Sequence, residues 1–375
     1  MPMPPLVEPV AALPDDERIR TARHASLAGF GDEAQRRLAA AHVAVVGAGG
    51  LGSPAVLALA AAGVGTLTVI DDDIVEASNL QRQVLHRVGD VGRPKVESAA
   101  RATADLSPHT VVRVQQARLT AENAVALLRG AHVVVDGTDT FETREAVAAA
   151  CESLGLPLVW GVVQEFHAQV TVFWSAPPAG APAVTLRDLY PPDTVGEVPT
   201  CAAVGVLGSL CLQVGALLAT EAVKLLTGVG EPLLGRVVVI DALRASSHEV
   251  PLRAAAVAPS AAEHGRIPTA RTAPIPQIDL AAAVAAQEAG AVLLDVREPV
   301  ETDEGMLPGA VAVPLGTVLA DPRAVGPGPV VVVCKAGVRA ERAAVALRAA
   351  GVEASVLAGG MDAWASTAER ERTRA

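Results

Sequence analysis

A glycine-rich turn between a strand and a helix constrains the fold more than any other feature of the chain. The run Val43–Val46 is short and apolar, which indicates a buried strand. It is followed by Gly47–Gly52, spaced as G-x-G-x-x-G, and then by an alanine-rich stretch typical of a helix. Glycines at these positions let the backbone approach a phosphate closely, and the helix N-terminus supplies N–H groups and a positive dipole end. The sequence therefore predicts a nucleotide-binding α/β domain.

Alternating strands and helices extend the same pattern through the first two thirds of the chain. Between alanine-rich helical stretches, five further segments are typical of strands: Thr66–Ile70, His132–Asp136, Leu158–Gly161, Gln169–Trp174 and Arg236–Asp241. Strands that alternate with helices predict a mostly parallel, Rossmann-like sheet covered on both faces.

A change of composition after this block indicates a second domain. Residues 253–276 are rich in Ala, Pro and Thr and have no clear periodicity, which is typical of a linker. The α/β pattern then restarts, with apolar strand segments at Val292–Val296 and Val330–Val333 and a helical pattern at Arg339–Ala350. We therefore expect an α/β domain over residues 1–252, a linker over 253–276 and a second α/β domain over 277–375.

Composition and charge exclude several classes of function. The chain has a formal net charge of −11, whereas general nucleic-acid binding needs a basic surface, so we expect no nucleic-acid partner. The stretch Ala202–Thr220 is uncharged and long enough to span a membrane. It contains Gln213 and three glycines, and Glu221 and Lys224 continue its helical pattern, so it is interpreted as a buried helix.

The four cysteines are sparse for a chain of this length and none are spaced as C-x-x-C. This indicates a reducing compartment and argues against a four-thiolate zinc site. The N-terminal sequence MPMPPLVEPV lacks the basic start and apolar core of a secretory signal. We expect a cytoplasmic protein without zinc.

Polar residues that follow the glycine turn favour ATP over NAD. The turn alone, with Asp71 after the next strand to take ribose hydroxyls, would fit a dinucleotide. Chemistry at a triphosphate also needs cations and a metal ligand. Arg82 and Lys95 can reach phosphates, and Asp139, which follows another strand, can hold Mg²⁺. Two alternatives remain: an NAD-dependent oxidoreductase, and a non-catalytic scaffold that binds a nucleotide.

Together these runs resemble the E1-like, ThiF-type adenylyltransferases of molybdopterin and thiamine biosynthesis. The resemblance covers about residues 19–250 and its most specific part is Ser78–Gln83, which reads SNLQRQ. Residues 163–173 are similar to the strand that follows the family's active site. The resemblance implies ATP with Mg²⁺, a homodimer, and an arginine that reaches into the partner's site, for which Arg23 is the match.

The same resemblance assigns the nucleotide site residue by residue. The residues implied to bind ATP are Gly47, Gly49, Gly50, Asp71, Asp73, Ser78, Asn79, Leu80, Gln81, Arg82, Lys95, Asp139 and Thr140, with Asp139 as the metal ligand. Two departures from the family are visible. Many relatives carry paired C-x-x-C zinc ligands, which are missing around Ala183–Arg187 and after Asp241, and relatives usually have Asn where this chain has Thr140.

A cysteine in the second domain has the setting of a sulfur-transfer nucleophile. Cys334 lies between a strand and a helix, where backbone N–H groups and the helix dipole stabilise a thiolate or persulfide anion, and Lys335 and Arg339 add positive charge. The block resembles a rhodanese through four runs: Asp295–Glu298, Leu307–Ala310, Cys334–Arg339 and Leu357–Trp364. The resemblance implies a Cys334 persulfide loaded from a persulfide or from thiosulfate. Met306 departs from the His that relatives often have.

Position and resemblance indicate the roles of the remaining cysteines. Relatives have a cysteine at the position of Cys201 that can form an acyl or disulfide link with the ubiquitin-like carrier protein that they activate. The alternative is a buried structural thiol, and both stay open. Cys151 and Cys211 lie in apolar helical patterns and are expected in the core.

An acyl-adenylate is a good electrophile and a persulfide is a good sulfur nucleophile. The two resemblances therefore imply activation of the C-terminal glycine of a ubiquitin-like sulfur carrier with a Gly-Gly tail, followed by its conversion to a thiocarboxylate.

Overall fold

The computed structural model describes residues 3–191, 205–254 and 275–364, except for residues 298, 304, 327 and 336. The chain divides into two compact units, Met1–Ala258 and Pro259–Ala375. The division falls between 254 and 275, within a segment outside the described residues.

An eight-stranded sheet forms the centre of the first unit. Its strands are β1 (His42–Val46), β2 (Thr66–Ile70), β3 (Val111–Gln115), β4 (Val133–Asp136), β5 (Leu158–Gln164), β6 (His167–Phe173), β7 (Arg236–Asp241) and β8 (Ser246–Pro251). Their order across the sheet is β3-β2-β1-β4-β5-β6-β7-β8. The first five are parallel, and the last three join through antiparallel pairings. The predicted Rossmann-like α/β architecture is confirmed.

Helices cover both faces of this sheet. They are α1 (Asp15–Arg20), α2 (Ala22–Ala25), α3 (Gly31–Ala40), α4 (Gly52–Ala62), α5 (Lys95–Leu106), α6 (Ala124–Leu128), α7 (Phe141–Leu154), α8 (Leu186–Leu189) and α9 (Gly208–Thr227). Alternate residues of β1 point to opposite faces, so Val43 and Val45 belong to one apolar cluster and Ala44 and Val46 to the other. Burial on both faces explains why the central strands are continuous runs of apolar residues.

The carboxyl ends of the central parallel strands meet at one edge of the sheet. Val46, the last residue of β1, pairs with Ile70 of β2 on one side and with Asp136 of β4 on the other. The loops after these three strands therefore start side by side. Such an edge is where open parallel sheets bind ligands.

Helix α9 is apolar and is packed within the first unit. Leu210, Val214 and Leu218 are buried at a spacing of four residues and face the core. The helix begins at Gly208 and ends at Thr227, so it includes Lys224 and the buried Glu221, which were expected to continue the helical pattern. The carboxylate of Glu221 accepts a hydrogen bond of 2.8 Å from the backbone N–H of Leu233 and pairs with Lys224. Among the described residues, α9 alone has the length and composition to cross a membrane. Of its most apolar 18-residue stretch, 61% is buried inside the protein.

A five-stranded parallel sheet forms the second unit. Its strands are β9 (Gln277–Ile278), β10 (Val292–Asp295), β11 (Val311–Ala312), β12 (Val330–Val333) and β13 (Ala354–Leu357), in the order β11-β10-β12-β13-β9. Its helices are α10 (Leu280–Glu288), α11 (Pro299–Thr302), α12 (Leu315–Ala320) and α13 (Val338–Ala349). Two apolar clusters cover the two faces of this sheet. The second predicted α/β domain is thus confirmed.

The contact between α9 and α4 depends on Gly215. A methyl group added there would lie 2.3 Å from Cγ of Pro54 and 2.5 Å from the carbonyl oxygen of Leu51. We expect Gly215→Ala to lower the free energy of unfolding of the first unit by about 1–3 kcal/mol, since overpacking forces the two helices apart. Equilibrium urea unfolding followed by tryptophan fluorescence measures this.

Gly89→Ala is the matched control, because a methyl group there meets no atom within 4 Å. Its expected effect is within about 0.5 kcal/mol. Equal stability of the two variants would contradict the close packing of α9 on α4.

Candidate functional sites

A cleft lies at the sheet edge where β1, β2 and β4 end. Nine of the residues expected to bind ATP line it: Gly47, Gly49, Gly50, Asp71, Asp73, Arg82, Lys95, Asp139 and Thr140. They come from separate loops, and the parallel register of the strands brings those loops together. The fold thus gathers the predicted glycine turn, the two cations and the predicted metal ligand in one place.

The glycine turn has no room for side chains at its two ends. Gly47 has a φ of +85°, which favours glycine, and a methyl group on Gly52 would lie 1.8 Å from the carbonyl oxygen of Gly47. Hydrogen bonds hold the peptide groups of Ala48. Its N–H donates to Asp71 Oδ2 at 2.6 Å, and its carbonyl accepts from Ser53 Oγ at 2.9 Å and from His86 Nε2 at 3.1 Å. The protein itself therefore fixes the shape of the turn.

Carboxylates and a buried lysine face each other beside the turn. Lys95 is 5% exposed and its Nζ lies 2.7 Å from Asp73 Oδ2. Burial raises the pKa of Asp71, and the charge of Lys95 opposes that shift. The carboxylate oxygens of Asp71, Asp72 and Asp73 can approach within 4.8 Å of one another. Asp71 Oδ1 also accepts from the N–H of Asp73 at 2.9 Å, so this carboxylate organises the loop backbone on both sides.

The loop after β4 presents Asp139 at the opposite wall of the cleft. Behind it, Asp136 is fully buried, and its Oδ1 accepts from Thr138 N at 2.9 Å and from Thr138 Oγ1 at 2.6 Å. Burial raises the pKa of Asp136, and the charge of Arg144 opposes this. Thr140 is the N-cap of α7, where its hydroxyl accepts from Thr143 N at 3.4 Å. The exposed carboxylate of Asp139 thus stands on a well-anchored turn.

Some expected site residues lie beside the cleft rather than in its lining. Ser78, Asn79, Leu80 and Gln81 belong to the turn that precedes Arg82, and the Asn79 side chain accepts from the N–H of Glu76 at 3.2 Å. Arg23 is exposed on α2. In this chain these residues flank the site, and their contacts to nucleotide stay predictions.

Several lining residues were missed by sequence reasoning. They include Asp72, Gln83, Arg118, Thr138, Thr143, Arg144 and Cys211. Gln83 directly follows Arg82 in the SNLQRQ run, and this adjacency is the signal in the sequence that could have found it. Cys211 is buried as expected, but a methyl group on Gly50 would lie 3.1 Å from its Sγ, so this thiol also forms part of the cleft wall.

The other two cysteines of the first unit are Cys151 and Cys201. Cys151 is in the core as expected, and burial raises the pKa of its thiol. Cys201 lies outside the described residues.

The second unit holds Cys334 between β12 and α13, as the sequence predicted. Its side chain is 1% exposed, and its Sγ accepts from the N–H of Gly337 at 3.1 Å. The carbonyls of Cys334 and Lys335 accept from the N–H groups of Met361 and Asp362 at 2.9 and 3.0 Å. The carbonyl groups at the start of the loop after β12 are therefore fixed by backbone hydrogen bonds, and an N–H group faces the sulfur.

One of the two predicted cations near Cys334 is paired. Arg339 forms a bidentate ion pair with Glu301 of α11, with distances of 2.5 and 2.7 Å, whereas Lys335 is exposed. Arg297 forms a similar pair with the buried Asp295, 2.7 Å from Nη2 to Oδ2. The Arg339–Glu301 pair thus connects α11 to the helix that follows the cysteine, and the Arg297–Asp295 pair lies at the end of β10.

Comparisons with known proteins agree with both domains. The ThiF family model matches residues 21–259 and the rhodanese-like domain model matches residues 279–367. The probable adenylyltransferase/sulfurtransferase MoeZ of Mycobacterium tuberculosis is 41% identical over 97% of this chain and 96% of its own length. The sulfur carrier protein adenylyltransferase of Thermus thermophilus is 45% identical over 64% of this chain and 88% of its own length.

Solved structures agree on the fold of the first unit. The crystal structure of Escherichia coli MccB with ATP has a TM-score of 0.55 and 20% identity, and the match covers 65% of this chain and 73% of that one. The chain therefore belongs to the ThiF family, carries a rhodanese-like domain, and is an adenylyltransferase and sulfurtransferase.

Proposed function

We propose that the first unit uses ATP and Mg²⁺ to adenylylate the C-terminal glycine of a ubiquitin-like sulfur carrier, and that Cys334 then delivers sulfur to give a thiocarboxylate. The observation that carries the proposal is the convergence of Arg82, Lys95 and Asp139 on the glycine turn in one cleft. The name of the sulfur carrier protein adenylyltransferase supports the same substrate class, and the name of MoeZ supports the two activities.

The cleft has the donors that a nucleoside triphosphate and a magnesium ion need. The glycines leave the backbone of the turn uncovered by side chains at their positions, so a phosphate can approach it. The N-terminus of α4 supplies N–H groups for the phosphate oxygens. The carboxylate oxygens of Asp139 are hard ligands of the type Mg²⁺ prefers. When bound, the metal ion would neutralise phosphate charge and polarise the phosphoryl oxygens.

In adenylylation two anions, the carboxylate of the carrier and the triphosphate of ATP, must approach each other. A carboxylate oxygen of the carrier attacks the α-phosphorus, the bond to the bridging oxygen breaks, and pyrophosphate leaves. Arg82 and Lys95 lower the repulsion and stabilise the charge on the leaving group. Because Lys95 contacts Asp73 at 2.7 Å, phosphate binding would exchange one anionic partner of the ammonium group for another. Positioning and electrostatics suffice, so no covalent enzyme intermediate is required in this step.

Sulfur transfer uses the second unit. The terminal sulfur of a Cys334 persulfide, loaded from a persulfide or thiosulfate donor, attacks the acyl carbon, and AMP leaves. The carrier is then joined to Cys334 through an acyl disulfide. A second thiol cleaves that bond to release the thiocarboxylate and forms a disulfide with Cys334, which an external thiol reduces. Cys201 is the candidate for the second thiol.

The same proposal includes a homodimer and a cytoplasmic location. A homodimer would let Arg23, exposed on α2, act in the partner's cleft. We further propose a cytoplasmic protein without a membrane or nucleic-acid partner and without zinc. Main-chain hydrogen bonds of 2.7 and 3.1 Å between Trp174 and Val184 support the last point, since they hold the segment where relatives carry zinc ligands.

Asp139→Ala tests the adenylylation site. We expect carrier-dependent ATP/pyrophosphate exchange to fall by at least about a hundredfold, because the metal ligand is lost. Asp105→Ala is the matched control: this exposed carboxylate contacts Arg87 at 3.3 Å, away from the cleft, and exchange should persist. Unchanged exchange in Asp139→Ala would remove Asp139 from the site.

Cys334→Ser tests the sulfur site through formation of thiocyanate from thiosulfate and cyanide. We expect the activity to disappear, because a hydroxyl group cannot carry the sulfane sulfur. The same variant should keep ATP/pyrophosphate exchange, and Asp139→Ala should keep thiocyanate formation, since the two sites lie in different compact units. Full thiocyanate formation in Cys334→Ser would refute the assignment.

Mass spectrometry of the carrier tests the whole reaction. Incubation of the protein with a candidate Gly-Gly carrier, ATP and thiosulfate should add the mass difference between sulfur and oxygen to the carrier. Cys201→Ser should still form the acyl-adenylate but should release less thiocarboxylate. Undiminished release from Cys201→Ser would exclude this residue as the second thiol, and an unmodified carrier in the presence of wild-type protein would exclude that carrier.

A further inference from the structure

The peptide groups next to Asp139 are held from two sides by buried side chains. Asp136 Oδ1 accepts from both the N–H and the hydroxyl of Thr138, at 2.9 and 2.6 Å. On the other side of the same residue, Arg144 Nη2 donates to the carbonyl oxygen of Thr138 at 2.9 Å. That carbonyl belongs to the peptide bond between Thr138 and Asp139. The backbone next to the proposed metal ligand is thus held by hydrogen bonds to the carboxylate of Asp136 in β4 and from the guanidinium of Arg144 in α7.

Arg144 is an unusual residue to bury. It is 4% exposed and its guanidinium lies 5.9 Å from the centre of the Trp160 ring, in the geometry of a cation–π contact. Trp160 is fully buried and is the direct register partner of Asp136 on the neighbouring strand. The strand pairing thus places the acid and the aromatic ring side by side beneath the arginine.

This cluster is costly for the fold. Asp136 Oδ2, Arg144 Nε and Trp160 Nε1 are all buried without a hydrogen-bond partner among the described residues. Burial of unsatisfied polar atoms and of charges opposes folding, and apolar residues of similar size would pack there at lower cost. A group with this cost and with a bond to the Asp139 peptide is best explained by what it does for that peptide.

We propose that Arg144 is a positioning residue that holds Asp139 in the orientation needed to bind Mg²⁺. It acts through its hydrogen bond to the Thr138 carbonyl, and Asp136 and Trp160 lie beneath it. The inference deepens the proposed function and rests on it. Arg144 lines the cleft, but its described hydrogen bond is to the protein backbone. Its loss should therefore weaken the metal-dependent part of nucleotide binding and leave the contribution of the glycine turn in place.

Calorimetric ATP binding to the full chain, without carrier, separates these contributions. With EDTA we expect Arg144→Met and wild type to bind ATP with affinities within about twofold of each other. With saturating Mg²⁺ we expect wild type to bind ATP more tightly than it does with EDTA. We expect this Mg²⁺-dependent increase in affinity to be at least about tenfold smaller in Arg144→Met, which is the size of effect for one lost hydrogen bond to a charged group. Equal loss with and without Mg²⁺ would mean direct phosphate contact or general damage, and would overturn the proposal.

Two further variants guard against misfolding. Arg144→Lys keeps the charge but lacks the planar fork that reaches the carbonyl while stacked on a ring, so an intermediate loss is expected. Thr138→Val removes the 2.6 Å bond to Asp136 with little change of volume and should show the same metal-specific defect. Arg87→Met, an exposed arginine, is the control and should match wild type. A full Mg²⁺ gain in both Arg144→Lys and Thr138→Val would also overturn the proposal.

A double variant distinguishes this inference from the proposed function. If Arg144 acts through Asp139, then Asp139→Asn alone should abolish the Mg²⁺ gain, and adding Arg144→Met should cause no further loss. If Asp139→Asn keeps the gain, the metal assignment of the proposed function fails and this inference fails with it. If Asp139→Asn removes the gain but Arg144→Met does not, only the role of Arg144 is refuted.

Discussion

The hydrogen bond from the N–H of Ala48 to the buried carboxylate of Asp71, 2.6 Å long, is the contact on which the nucleotide site depends. It ties the end of β2 to the glycine turn after β1. Because the same carboxylate also accepts from Asp73 N–H, the turn and the acidic loop cannot move independently. Burial disfavours the charged form of Asp71, and nearby Lys95 compensates for that cost. The turn, the acid and the lysine thus form one unit whose geometry precedes any contact with phosphate.

Both candidate sites keep a key cation paired with an acid. Lys95 contacts Asp73 in the first unit, and Arg339 is held in a bidentate pair by Glu301 in the second. The attraction between two charges in a partly buried site offsets part of the cost of desolvating them, and the pairing also fixes the direction of the cation. At the nucleotide cleft, a phosphate competes with a carboxylate for the lysine. At the sulfur site, backbone N–H groups can stabilise an anionic sulfur, and among the described residues the N–H of Gly337 contacts Sγ of Cys334.

The sequence predicted the parts of the fold that are buried on two faces, and it predicted the site residues that lie at their ends. β1, β4 and β12 are runs of valine and alanine, and such runs have few alternatives to a central parallel strand. β3 and β8 were missed because their residues are largely exposed and carry no apolar alternation. Arg144 was missed because its role depends on Trp160, which is brought to it by strand register rather than by proximity in the sequence.

The distribution of aromatic residues explains how the cleft wall is stabilised in a chain that has so few of them. The chain has three Trp, one Tyr and four Phe, and half of these eight gather behind the Asp139 turn: Phe141, Trp160, Phe173 and Tyr190. Tyr190 packs edge-on against both Phe141 and Trp160 at 5.8 Å, and Trp160 lies 5.6 Å from Phe173. Large rigid rings lose little conformational entropy for the area they bury, so they stabilise a fixed wall efficiently. Since Tyr190 follows shortly after Ala183–Arg187, the ring contacts that Tyr190 makes with Phe141 and Trp160 also hold the chain next to that segment by packing.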